Sequence, residues 1–107
     1  MSPRKRQNLL LEIKDRLDSV YGHRMKGLIL YGSEARGNSR RDSDIDLLVL
    51  LDGKINYGRD LLRNISALYP ISRRLGRRIS AKPASDKEYS EVQCPLYQRI
   101  HQEGIRI

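Results

Sequence analysis

Residues 28–51 constrain this chain most. They read LILYGSEARGNSRRDSDIDLLVLL, in which the apolar run Leu28-Ile29-Leu30-Tyr31 stops at Gly32-Ser33. A polar, glycine-containing loop then leads to Asp44-Ile45-Asp46 and a second apolar run ending at Leu51. Apolar runs of this length bounded by turn residues predict two β-strands joined by a bend. Side chains alternate across a strand, so Asp44 and Asp46 project from one face and Ile45, Leu47, Val49 and Leu51 from the other. The two carboxylates then stand side by side, each suppressing the other's ionisation unless a cation lies between them. Hard oxygen ligands two residues apart, at the polar end of an apolar strand, suit Mg²⁺, which keeps several waters and completes its octahedron with phosphate oxygens.

The bend faces the same space. Gly32 has no Cβ, so backbone N–H groups there can approach a phosphate closely, and Ser33 adds a hydroxyl at the first turn of a short predicted helix through Ala35-Arg36. The N-terminal end of such a helix attracts an anion. Phosphate donors at one strand end, beside a carboxylate pair on its neighbour, predict a site for a metal-bound nucleoside triphosphate. Asp44 and Asp46 are its expected catalytic and metal-binding residues, and Gly32, Ser33 and Arg36 its expected nucleotide contacts. Arg36 lies three residues past Ser33 and either reaches a phosphate or braces the loop; both roles stay open. Ser43 precedes Asp44 and is placed to orient it. A Gly-Ser pair alone is most simply a turn, and an Asp-x-Asp alone a solvated strand end. Their occurrence together between two apolar strands carries the inference.

At 107 residues and 38% hydrophobic content, the chain has material for one core, so a single domain over 1–107 is expected, with residues 1–7 as a flexible basic head. The net charge of +8 comes from 21 Lys and Arg against 13 Asp and Glu. The basic residues cluster as Arg4-Lys5-Arg6, Arg40-Arg41, Arg73-Arg74 and Arg77-Arg78. Such a surface attracts polyanions: a nucleotide, an acidic partner protein or nucleic acid. Nucleic acid is the weakest of these, because the acidic pair repels phosphate unless metal is present. The single cysteine, Cys94, excludes an intramolecular disulfide and a cysteine-ligated zinc cluster, and makes a reducing, cytoplasmic setting the expectation. The longest apolar run, Leu47–Leu51, is far too short to span a membrane.

Elsewhere, Leu9, Leu10, Ile13, Leu17, Val20 and Tyr21 recur at helical spacing, with Gly22 as the stop and Met25 opening the first strand. A second helical period runs over Tyr57–Leu75, where Pro70 is expected to kink or divide the helix. Tyr57 and Tyr69 are either base-stacking or partly buried. Ile79–Ala84 reads as a third strand, near a sheet edge because of Pro83. Ser85-Asp86-Lys87-Glu88 forms a capping box, Pro95–Glu103 a last helix, and Ile105-Arg106-Ile107 a short edge strand. The fold class is therefore α/β (α+β): a small mixed sheet with helices packed mainly on one face.

Gly32-Ser33, ten intervening residues and Asp44-Ile45-Asp46 resemble the signature of the DNA polymerase beta-like nucleotidyltransferase superfamily. The wording GSEARG…SDIDLLV resembles its minimal nucleotidyltransferase (MNT) branch, and nearly the whole chain can be laid along that element order. The resemblance implies transfer of a nucleoside monophosphate from Mg²⁺-bound nucleoside triphosphate, ATP foremost, to an acceptor hydroxyl at a one- or two-metal site. It further implies an antitoxin role beside a helical HEPN protein, either by transferring AMP to that toxin or by docking to it. The sequence departs from the family pattern at the third strand. Active members carry a third carboxylate there, as base and metal ligand; this strand offers Ser80 and Lys82.

Overall fold

Ser2 opens the first helix: its hydroxyl accepts from Lys5 N, and Pro3 takes the first helical position, where its missing N–H leaves nothing unsatisfied. The computed structural model describes residues 1–107, and helix α1 covers Pro3–Tyr21. The basic head expected over residues 1–7 is thus helical from Pro3 onward, and Arg6 donates to the Glu34 carbonyl at 3.3 Å. A short 3₁₀ turn, Gly22–Arg24, leads into β1 (Met25–Tyr31), followed by α2 (Gly32–Arg36), β2 (Ile45–Leu51) and α3 (Tyr57–Leu75). β3 (Ile79–Ser85), α4 (Asp86–Ser90), α5 (Pro95–Glu103) and β4 (Ile105–Arg106) complete the chain.

The four strands form one mixed sheet in the order β3-β2-β1-β4. β1 and β2 are antiparallel with Tyr31 opposite Asp46, and β2 and β3 are parallel with Asp46 opposite Ser80 and Leu48 opposite Lys82. A parallel pair needs a crossover, and α3 supplies it. Asn56 caps α3 by accepting from Arg59 N, and Gly76 closes it in the left-handed conformation. The helix runs unbroken through Pro70, which is exposed, so it is neither divided there nor forced to bury an unmade backbone bond.

α1 and α3 cover one face, where Leu10, Ile13 and Leu17 meet Leu28, Leu30, Leu47, Val49 and Leu51. The two long helices thus share a face, in keeping with the expectation that helices pack mainly on one side of the sheet. On the opposite face Ile29, Tyr31, Leu48 and Leu50 are buried by Tyr89 of α4 and Ile100 of α5. Burial on both sides explains why Leu47–Leu51 is continuously apolar and not alternating. α4 starts as the Ser-x-x-Glu spacing predicts, with the Ser85 hydroxyl accepting from Glu88 N at 3.2 Å.

A buried polar cluster ties α3 to its neighbours. Asp60 and Asn64 are fully buried. Arg24 reaches both Asp60 carboxylate oxygens at 3.2 Å, Tyr21 donates to the Asp60 carbonyl at 3.0 Å, and Asn64 Nδ2 donates to the Ala81 carbonyl at 2.9 Å. The last bond fastens α3 to the edge strand. No helix is long and apolar enough to cross a membrane.

Candidate active site

The antiparallel register brings Asp46 opposite Tyr31, the residue just before the Gly32-Ser33 bend. Gly32 has φ +75°, and a Cβ placed there would overlap the Asp46 carboxylate. Close phosphate approach was the role expected of this glycine; the structure adds another, making room for the acid. Ser33 follows at the start of α2, whose first turn no side chain caps, and Gly37 ends the helix at φ +77°. Gly32 and Ser33 are both partly exposed.

Asp44 lies immediately before β2 and is exposed, while Asp46, inside the strand, is partly buried. Burial raises the Asp46 carboxyl above its ordinary value, and the Asp44 charge raises it further; Lys82, Arg36 and Arg78 oppose that shift. Tyr31 lies on the same face as Asp46, its hydroxyl buried without a hydrogen-bond partner. Its phenol is pushed up to about 12, by burial first, then by Asp46 and Tyr57.

Ser80 and Lys82 share the strand parity that matches Asp46, so β3 directs a hydroxyl and an ammonium to the acidic face. There is no cluster of three or more His, Cys, Asp or Glu side chains able to hold a metal ion. The fit to a divalent cation therefore rests on Asp44 and Asp46. They are hard oxygen donors, and a cation would offset both the burial of Asp46 and the Asp44 charge, which together raise its carboxyl. Their remaining coordination positions would fall to water and phosphate oxygens.

Arg36 Nη1 meets Glu103 Oε1 at 3.1 Å, which is the bracing arrangement and ties α2 to α5. The Ser43 hydroxyl accepts from Arg40 N at 2.8 Å, so it closes its own loop and does not orient Asp44. Tyr57 and Tyr69 are 52% and 58% exposed, which removes the buried-core alternative for both. They line a groove of about 660 Å³ between α3 and β3, together with Leu61, Ile65, Ser80 and Lys82.

One element of the site was not foreseen. Glu34 and Arg77 form an ion pair at 2.7 Å, with side chains 8% and 10% exposed. Ser39 donates to Glu34 Oε2 at 3.0 Å, and Arg77 Nε donates to the Ser43 carbonyl at 2.9 Å. Burial opposes ionisation of Glu34, but the Arg77 and Ser39 hydrogen bonds outweigh it and hold the carboxyl below its usual value. These bonds clamp the loop between α2 and β2, and so set where Asp44 begins. The partners lie 43 residues apart, and no local spacing signals such a pair.

Residues 9–105 match the nucleotidyltransferase domain family. A Methanocaldococcus jannaschii protein provisionally named protein adenylyltransferase MJ0604 is 35% identical over 65 residues, covering 61% of this chain and 65% of that protein. The match thus spans just under two thirds of that relative's length. Two solved structures share the fold. One is a toxin–antitoxin with AMP-PNP, at TM-score 0.60 and 17% identity over 92% of this chain and 69% of that one. The other is a mutant of the toxin–antitoxin MntA-HpeT, at TM-score 0.59 and 15% identity over 94% of this chain and 70% of that one.

Proposed function

The chain belongs to the nucleotidyltransferase domain family, and from that premise we propose that it binds Mg²⁺-ATP and transfers AMP to a hydroxyl of a partner protein. The partner we infer is a HEPN-type toxin, with this chain as the antitoxin. The observation that carries the reading is the packing of the Asp46 carboxylate against Gly32. It brings the two halves of the Gly-Ser and Asp-x-Asp pattern side by side. The adenylyltransferase name of the relative and the toxin–antitoxin setting of the fold neighbours support the choice of nucleotide and partner.

In this reading Asp44 and Asp46 hold the metal, while the Gly32 backbone and the Ser33 hydroxyl hold phosphate oxygens. A bound Mg²⁺ would supply positive charge to the phosphates as negative charge builds on the leaving group. The acceptor oxygen forms its bond to the α-phosphorus in line as the bond to pyrophosphate breaks, and pyrophosphate leaves with that electron pair. β3 carries no carboxylate, so the acceptor proton passes to water. Absence of a general base costs roughly 10²–10⁴-fold where such help operates, so slow transfer is expected.

Incubating the chain with α-labelled ATP, Mg²⁺ and a purified HEPN-type partner tests this. Label should appear on the partner and vanish with Asp44→Asn or Asp46→Asn. Ser80 and Lys82 on β3, where an acid would serve as base, favour a second reading, in which the chain neutralises its partner by docking. A stable complex that never takes up label would select it.

A further inference from the structure

We propose that Lys82 serves as a fixed second cation in this site, so that the chain binds its nucleotide with a single divalent ion. The inference rests on the nucleotide reading above and deepens it. Lys82 stands on β3 opposite Leu48, two residues beyond the Ser80–Asp46 pair, and its parity places it on the face that carries Asp46. It is partly buried, yet no carboxylate lies within ion-pairing distance and no hydrogen bond occupies it.

A partly buried ammonium without a partner, on the face that carries Asp46 and close enough to act on its charge, is poised for an anion that arrives with its own cation. Asp44 and Asp46 carry two negative charges and can satisfy one divalent ion. A second ion would have to share those two acids and sit against the ammonium, which repels it. An ammonium in place of an acid changes the local charge by two units, the charge of one divalent ion. Lys82 therefore offers the phosphates directly what a second metal would otherwise bring, and as a compact point charge it suits a phosphate oxygen. Arg78, adjoining β3, also acts on the Asp46 carboxylate and adds to that field.

The test counts Mn²⁺ by electron paramagnetic resonance and equilibrium dialysis, with AMP-PNP as the nucleotide. The wild-type chain should retain one Mn²⁺ per bound AMP-PNP. Lys82→Met should weaken AMP-PNP binding roughly ten- to a hundredfold, the size expected for a lost charge-assisted hydrogen bond, whereas Lys82→Arg should stay within a few-fold of wild type. A wild-type count of two, or a folded Lys82→Met that binds AMP-PNP as wild type does, overturns the inference while leaving the nucleotide site standing. Failure of AMP-PNP to bind at all with Mn²⁺ overturns the nucleotide reading, and this inference with it. The wild-type count decides the matter even if a variant does not fold.

Discussion

Gly32→Ala perturbs the close approach of the Asp46 carboxylate to the bend. Gly32 opens α2 and Gly37 follows it, both at positive φ, +75° and +77°, but their surroundings differ. A Cβ at Gly32 would strike the Asp46 carboxylate, whereas one at Gly37 would meet nothing within 4 Å. Both alanine variants place an L-residue at positive φ, a strain of about 1–2 kcal/mol, or roughly 5–10 °C in Tm for a domain near this size. Only Gly32→Ala must also displace Asp46. Disturbing a group that positions a metal ligand typically weakens metal affinity by about 10–100-fold, and misplacement by about 1 Å can cost on the order of 10²-fold in rate. Thermal melts with and without Mn²⁺ and AMP-PNP, with calorimetric titration of both variants, separate the two effects. Both variants should melt lower, Gly32→Ala at least as far as Gly37→Ala, while the binding defect is confined to Gly32→Ala. Full binding by Gly32→Ala, or equal binding losses in both variants, would refute the idea that Asp46 against the bend forms the site.

Three further outcomes can be checked. Burial and Asp44 hold the Asp46 carboxyl above its unfolded value, so its contribution to stability is present in acid and lost as pH rises through the folded value. In the absence of metal, Asp46→Asn should therefore melt above wild type at pH 7, and the gap should close toward pH 4; a gap that widens on acidification contradicts the assignment. Asp60 behaves oppositely: burial opposes its ionisation, but the Arg24 hydrogen bonds and charge bring it net below the ordinary value. Its stabilisation is thus present above the unfolded carboxylate value and lost as pH falls, and Asp60→Ala, which strips Arg24 of its partner, should cost about 3 kcal/mol in denaturant titrations at pH 7. Glu34→Gln should open the loop between α2 and β2 to limited proteolysis and lower nucleotide affinity without touching Asp44 or Asp46; unchanged cleavage within residues 38–43 would show that the clamp is dispensable.

What the sequence determined was local. Tyr57–Leu75 and Pro95–Glu103 match their helices end to end, because each has a periodic apolar face closed by a glycine. The bend at Gly32 and the two flanking strands likewise follow from apolar runs bounded by turn residues, which a sequence states directly. Other features depended on which distant elements came to lie side by side. α4 and α5 cover the second sheet face and bury Leu48 and Leu50. Arg36 turns to Glu103, Arg77 closes on Glu34, and the parallel pairing of β3 with β2 sets Lys82 on the face of Asp46. Each of these joins positions tens of residues apart through strand register or ion pairing, so spacing along the chain holds no trace of them. Even the need for glycine at position 32 became fully intelligible only once the register had put a carboxylate where its side chain would be.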